Sequence, residues 1–579
     1  MIKINKNVLS DDLSPYLKQH KDNPVNWQIW SRETLEFSKQ NKKPILLSIG
    51  YASCHWCHVM AHESFDDSET AKLMNELFVN IKVDREERPD LDFVFQSSFQ
   101  LFNQTGGGWP LTMFLDENGV PFMGGTYFPK DAKHGLPSFK EVLQKVSDAY
   151  NEQREKIVKQ KDLIIKNLDL KKNSVLNQDL DPIIEISLKN LDPVNGGYKG
   201  APKFPTFNLY ETLLYFYNTS NDEKYLKPVD LVIKQLCKKG IYDQVEGGIA
   251  RYTVDEDWII PHFEKMLYDN TQFILLLSKY CKTNSDDYFK EKLKQTIEFL
   301  KKNFLNKEGF FGSAYDADSD GEEGKYYSFS YIEIKDIENI EKYFEIKPEG
   351  NWENKIILVE KEQATQEILK KLLQIRLKRK KPFFDDKTQL DLNCLMISGL
   401  IAADQILPNN SYLELAEELF LKIEKKYIKG KIHHSYSIDK VFIEDYAFLI
   451  NAINDLSDKT MNFKYKDLAR KLSQEAISKF FIEDKKIFQK NPKNNDDIFF
   501  KPIDIGDNTI PNGNAIMLIN LIRLGMMDEA KKLSDSLNGY LNIYKNHMMT
   551  AVRALDFFNN VNSGKNCNEQ GCKIDDKKN

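Results

Sequence analysis

Pro44-Ile45-Leu46-Leu47-Ser48-Ile49-Gly50-Tyr51-Ala52-Ser53-Cys54-His55-Trp56-Cys57-His58 decides the fold of the first part of the chain. Its apolar half reads as a buried strand, and the two cysteines follow directly. A strand that ends in a closely spaced cysteine pair and then enters a helix aims a thiol at solvent from a helix N-terminus, where a redox cysteine belongs. Val59, Met60 and Phe65 continue the helix, and a second one from about Ser68 to Leu77 delivers the β-rich Phe78-Val79-Asn80-Ile81-Lys82-Val83-Asp84. Strand, helix, strand is a βαβ unit with a parallel pair and a right-handed crossover. Asp84-Arg85-Glu86-Glu87-Arg88-Pro89-Asp90 leaves the strand, and a helix over Leu91 to Phe102 follows. After Thr105-Gly106-Gly107-Gly108-Trp109-Pro110, the strand Leu111 to Leu115, the turn Asp116-Glu117-Asn118-Gly119 and a strand around Pro121 to Met123 read as a hairpin. A long amphipathic helix from about Ser138 to Ile157 completes the unit. Upstream, the aromatic-rich Asp12 to Trp27 packs across the domain, a helix runs from about Ser31 to Gln40, and His20 reads as a hydrogen-bonded structural histidine.

The remaining composition narrows the class. The 579 residues are too many for one compact core, so at least two domains are expected. With 41% hydrophobic, 29% charged and 12% aromatic residues the chain is globular, without the signature of disorder. A net charge of −6 with no clustered basic excess excludes a nucleic-acid partner. Met1 to Asn7 has no apolar core of a signal peptide, and no run approaches a membrane-spanning length, which places the protein in the cytoplasm and away from membranes. Seven cysteines in a chain this long make no disulfide scaffold. Cys237, Cys281 and Cys394 read as inert core residues. Cys567 and Cys572, in the polar tail, are a stray thiol pair or a metal clip, and carry no assigned function.

The order βαβ then ββα, with Cys54-x-x-Cys57 after the central strand and a proline opening the next, resembles a thioredoxin fold. That resemblance implies a cis bond before Pro110, which then lies against the cysteine pair. The strings Ser14-Pro15-Tyr16-Leu17, Asn23-Pro24-Val25, Gly50 to Phe65, Lys82 to Asp90 and Gly107-Gly108-Trp109-Pro110-Leu111 further resemble the spermatogenesis-associated thioredoxin-like family. In this reading Cys54 is the attacking thiol, stabilised as thiolate by unpaired backbone N–H groups and by a cationic His55. Cys57 resolves the mixed disulfide, and His58 and His62 supply protons. Thioredoxins carry a buried Asp six residues before the first cysteine, and Ser48 stands there in this sequence, so a slow or specialised exchange is expected.

Other readings of the same residues compete with this one. Cys54-His55-Trp56-Cys57-His58 matches the c-type haem pattern, but haem attachment implies export. Cys54, Cys57, His58 and His62 have the chemistry of zinc ligands, although one helix rarely closes a tetrahedron. The bland alternative is a redox-dead remnant kept for folding. We expect no metal and no cofactor, and a protein or small thiol as partner.

Residues 152–177 are Lys-rich and weakly patterned, which sets domains at 1–175, 176–560 and a polar tail at 561–579. Helical stretches then recur almost without a strand, near residues 181–191, 207–218, 224–239, 268–282, 287–303, 362–379, 390–405, 411–427, 442–456, 464–480, 511–524 and 528–540. A dozen helices joined by loops fit an (α/α)6 toroid, so the fold class is α/β plus all-α. The family resemblance implies the same fold, related to six-hairpin glycosidases and sugar epimerases. It also implies further helices beyond Pro511-Asn512-Gly513-Asn514, so closure of the ring is an open question for the sequence. Aromatic and acidic residues gather between the helices, as in a sugar pocket. The candidates are His262, Glu264, Asp269, Asp316, Asp318, Asp386 and Glu444. Hydrolysis needs two carboxylates across a bond, and epimerisation needs a base such as His262. For each acid alone a loop-capping or salt-bridging role is the plainer reading. Asp316-x-Asp318-x-Asp320-Gly321 opens like an EF-hand loop, but its twelfth position is Tyr327 and no helix enters it.

Overall fold

A computed structural model describes residues 4–133, 135–170 and 179–572. Contacts divide the chain into two compact units. The first joins residues up to Lys171 with two later stretches, His434–Phe442 and Gln489–Ile503, and the second holds the rest. The first unit therefore draws on chain from beyond the boundary that composition sets near residue 175.

Its centre is a four-stranded sheet of β1 (Ile45–Gly50), β2 (Val79–Asp84), β3 (Leu111–Leu115) and β4 (Pro121–Gly125), in the order β2-β1-β3-β4. β1 and β2 are parallel and the other pairs antiparallel. Every residue of β1, β2 and β3 is buried, which matches apolar runs covered on both faces. On one face Ile45, Leu47 and Ile49 pack with Val83, Phe95 and Met113, and Ile498 and Phe499 from the third stretch join them. The flanking helices are α1 (Pro15–Gln19), α2 (Arg32–Asn41), α3 (His55–Met60), α4 (Ser68–Leu77), α5 (Pro89–Asn103) and α6 (Phe139–Val158). A π-helical turn over Ala61–Phe65 prolongs α3. Phe139 is the first residue of α6, behind a capping box of Ser138 and Glu141. This is a thioredoxin-like fold. His20 is buried and hydrogen-bonded to Asn23 at 2.9 Å, the structural role its context suggests.

The second unit is a ring of helices: α7 (Asp181–Lys189), α8 (Phe207–Ser220), α9 (Glu223–Lys238), α10 (Leu267–Tyr280), α11 (Asp287–Asn303), α12 (Leu390–Asp404), α13 (Tyr412–Ile423), α14 (Ile443–Thr460), α15 (Phe463–Phe480), α16 (Gly513–Arg523), α17 (Met527–Tyr544) and α18 (Met549–Asn562). Neighbouring pairs α8–α10, α10–α12, α12–α14, α14–α16, α16–α18 and α18–α8 close an inner ring of six. The (α/α)6 toroid is thus complete, with α18, which the apolar pattern did not single out, as its closing member. Residues between α11 and α12 build a side cluster around Phe329, Ile334, Phe344, Ile356 and Leu372. Arg376, 1% exposed, fastens that cluster by two hydrogen bonds to Asp243 at 2.9 and 2.8 Å. Among the described residues no helix is long and apolar enough to cross a membrane.

Candidate functional site

In the first unit, β1 ends at Gly50 and the buried turn Tyr51-Ala52-Ser53 delivers Cys54 to the N-cap of α3. The Cys57 N–H donates to Cys54 Sγ at 3.2 Å, and the two sulfurs are joined as a disulfide with Cα atoms 5.2 Å apart. The sequence aims Cys54 at solvent, yet Cys54 is only 3% and Cys57 2% exposed, because the preceding turn is itself buried. What the helix start does present is Trp56, 48% exposed, with its ring 5.3 Å from that of Tyr127. Tyr127 in turn donates to Glu63, and Lys133 binds the other Glu63 oxygen at 2.8 Å. His55 and His58 occupy the first turn of α3, partly exposed. His62, by contrast, pairs with Asp66 at 3.1 Å on the surface.

Gly50 leaves room for what lies behind the pair. A Cβ there would sit 2.2 Å from the Tyr16 hydroxyl and 2.8 Å from Cys57 Sγ, so phenol and sulfur flank one point. Two residues back on the same strand face, Ser48 accepts a hydrogen bond from Lys82 Nζ at 2.9 Å. The Lys82 amine is buried with the rings of Phe65, Trp27 and Tyr16 at 4.5, 5.1 and 5.2 Å, and among the described residues no carboxylate pairs with it. Burial holds its pKa far below the ordinary lysine range. Burial, and then the nearby Lys82, also push His20 well down. The position that is a carboxylate in thioredoxins is here a hydroxyl facing a buried amine.

The loop before β3 is fixed by α5. Gln96 donates to the Gly108 carbonyl at 3.1 Å and Trp109 Nε1 donates to Asp92 at 2.8 Å. Arg85 lies over the rings of Trp109 and Tyr51, at 4.1 and 4.9 Å. The Trp109–Pro110 peptide is cis. The charged run Asp84 to Asp90 has a supporting task. Asp84 accepts from Ser14 at 2.7 Å, Arg88 binds Asp90 through two bonds of 2.9 Å, and Asp90 and Glu86 receive Asn491 and His434 from the two later stretches.

In the second unit His262 and Glu264 come together. His262 Nδ1 lies 2.6 Å from Glu323 and Nε2 3.5 Å from Glu264, while Arg251 reaches Glu264 at 3.4 Å. The His262 ring packs 4.9 Å from Tyr252, on which Phe204 stacks at 4.7 Å. Glu323 was not a candidate, since it reads as one more acid after the Asp-rich loop. Asp316 Oδ1 accepts the Asp318 N–H at 3.1 Å, and Asp318 is the strand partner of Glu323, the acid that holds His262. Asp318–Ser319 and Glu322–Glu323 pair as a hairpin with Asp320 at φ 57° in its turn, so this segment is a tight turn and not an EF-hand loop. Asp269 and Glu444 are buried in the first turns of α10 and α14, and Asp386 is exposed.

The first unit is a thioredoxin-like domain and the second an (α/α)6 domain of the six-hairpin type. The family model described as "Protein of unknown function, DUF255" (Thioredox_DsbH) matches residues 6–169. Uncharacterized protein B0495.5 of Caenorhabditis elegans is 31% identical over 602 residues, covering 92% of this chain and 82% of that one. Spermatogenesis-associated protein 20 of Homo sapiens is 28% identical over 596 residues, covering 90% of this chain and 76% of the human protein. Among solved structures, cellobiose 2-epimerase from Bacillus thermoamylovorans aligns with a TM-score of 0.43 and 11% identity over 63% of this chain and 84% of that one. A D-mannose isomerase aligns with 0.44 and 13% over 66% and 96%. The chain belongs to the spermatogenesis-associated thioredoxin-like family, the DUF255 proteins.

Proposed function

We propose that Cys54 and Cys57 carry out thiol–disulfide exchange on a protein or small-thiol partner. The observation that carries this reading is the disulfide itself, closed across the start of α3 with Cys54 as N-cap. A partner thiolate attacks Cys54 Sγ, the Cys54–Cys57 bond breaks, and its electron pair leaves on Cys57 as thiolate. A second partner thiolate then attacks the partner sulfur of the mixed disulfide, releasing the oxidised partner and the Cys54 thiolate. Two electrons pass from partner to pair, and both thiolates take protons. The N–H that reaches Cys54 Sγ and the dipole of the helix that it caps favour the thiolate there. Mass spectrometry after alkylation, with and without a dithiol, tests the cycle. Two alkyl groups should appear on Cys54 and Cys57 only after reduction, and Cys57→Ser should accumulate a mixed disulfide with its partner at Cys54. A pair that stays unlabelled after reduction, or a Cys57→Ser variant that traps nothing, defeats the reading.

A second reading rests on His262, held between Glu323 and Glu264 and packed against Tyr252. An imidazole fixed through Nδ1 beside aromatic faces suits binding of a sugar, and it serves as a base for proton abstraction once Nε2 turns from Glu264 to the substrate. A thermal-shift screen of mono- and disaccharides on wild type and His262→Ala tests it. A sugar that raises the wild-type melting temperature and not the variant's supports the reading.

A further inference from the structure

The inner ring of the toroid encloses a cavity of about 300 Å³ to which all six inner helices contribute. Glu211 comes from α8, Lys279 from α10, Ser398 from α12, Asp455 from α14, Arg523 from α16 and Arg553 from α18. None of His262, Glu264, Asp269, Asp316, Asp318, Asp386 or Glu444 lines it. The volume is that of a small-ligand site.

The polar lining is built. Lys279 and Arg553 both donate to one Glu211 oxygen, at 2.6 and 2.7 Å. Arg523 binds Asp455 at 2.8 Å, and Ser398 and Asn451 bind the other Asp455 oxygen at 2.5 and 3.0 Å. The Arg553 side chain is 8% exposed, and its Nε is buried with no acceptor among the described residues. Lys279, Arg523 and Arg553 thus meet three anions from the ring, Glu211, Asp455 and Asp458, the last bound by Arg523 at 2.8 Å.

A fourth anion comes from the chain's last described residues. Cys567–Asn568 and Gly571–Cys572 pair as a two-stranded hairpin, closed by a Cys567–Cys572 disulfide. Glu569 and Gln570, at the tip, form part of the cavity wall. Glu569 lies 3.9 Å from Arg523 Nε, Asn218 donates to the Gln570 carbonyl at 2.8 Å, and Lys282 donates to its side-chain oxygen at 2.7 Å. Burial works against the Glu569 charge, but Arg523, Lys279 and Arg553 outweigh it and hold its carboxyl below the usual range.

We propose that this axial cavity binds a small hydroxylated carboxylate, and that the disulfide-closed hairpin covers it with Glu569 standing in the carboxylate's place. Arg523, Arg553 and Lys279 supply charge for the acid, and Ser398 and Asn451 supply hydrogen bonds for hydroxyls. The hairpin at residues 567–572 is then a stopper, and the cysteines that read as a stray thiol pair hold its shape. A dithiol reductant opens it by passing two electrons and two protons to Cys567–Cys572, leaving two thiols and the oxidised reductant. The proposal stands apart from both readings of function above.

Calorimetric titration of the full chain with D-glucuronate as probe, and with D-glucose as uncharged control, tests it. The oxidised wild type should bind D-glucuronate at least tenfold more weakly than Cys567→Ser/Cys572→Ser, which leaves Cys54–Cys57 intact. Glu569→Gln should gain the same binding with its disulfide closed, and adding Arg553→Gln to the Ser pair should abolish it while a cooperative melt confirms folding. Equal binding by wild type and the Ser pair, no binding by either the Ser pair or Glu569→Gln, or equal binding of D-glucose would each overturn the proposal.

Discussion

Ser48 and Lys82 show how one substitution reorganises a buried site. A buried amine with no carboxylate partner has a lower pKa in the folded chain than in the unfolded one, so folding favours release of its proton between the two values. Because the folded pKa lies below the unfolded value, the cost is full below the folded pKa, shrinks as pH rises toward 10.5, and vanishes above it. Lys82→Met should therefore raise the melting temperature at pH 7 and lose that advantage as pH rises above 10.5, a difference read from paired melts across the range. Gly50 makes the complementary test. Gly50→Ala puts a methyl into the space shared by the Tyr16 hydroxyl and Cys57 Sγ and should cost about 1–3 kcal/mol, read by denaturant unfolding. The absence of the usual Asp was legible from spacing. That Lys82 turns inward to meet Ser48 was not, because the pairing of residues on β1 and β2 depends on the register of a long-range contact.

At the scale of elements, the toroid repeats one device. Asn270, the fourth residue of α10, accepts the Ile249 N–H at 2.8 Å and donates to the Ile249 carbonyl at 3.0 Å. Asn393, the fourth residue of α12, treats Phe311 in the same way at 2.8 and 3.0 Å, and Asn514 in α16 does so to Phe488 at 3.0 and 3.0 Å. A side-chain amide has one donor edge and one acceptor edge, so it can satisfy the N–H and C=O that a bridged residue turns away from its strand partner. Asn393→Ala orphans both backbone groups of Phe311 and should cost about 2–4 kcal/mol in a denaturant or thermal unfolding experiment. Asn393 and Asn514 are not among the pocket candidates read from the sequence. Their role became clear only from the turns they fasten, which lie 82 and 26 residues upstream.

At the scale of the whole molecule, ring closure depends on charges that meet across its axis. Burial pushes the Glu211 carboxyl up, but Lys279 and Arg553 prevail and hold it at about 2. A carboxylate depressed on folding contributes stability that is full above the unfolded pKa near 4.5 and is lost as pH falls through about 2. That contribution is on the order of 3 kcal/mol. Glu211→Gln should therefore destabilise the chain at pH 7 and differ little from wild type below pH 2, as measured by urea unfolding at both. The cations come from α10 and α18 and the acid from α8, so the interaction joins the last helix of the ring to the first.

The sequence alone determined the two kinds of domain, most of their elements and the cysteine motif. Strand and helix periods, turn residues and the Cys-x-x-Cys spacing are local, and local pattern is what a chain displays in order. Tertiary structure decided the rest: that α18 closes the ring, that Glu323 joins His262, and that two later stretches complete the thioredoxin-like unit through Glu86 and Asp90. It also settled the neighbours of Cys54, the opening feature of the chain. The strand and helix placed that sulfur at an N-cap, while its burial and the Tyr16 and Lys82 behind the pair come from side chains packed across the sheet, which no spacing along the chain encodes.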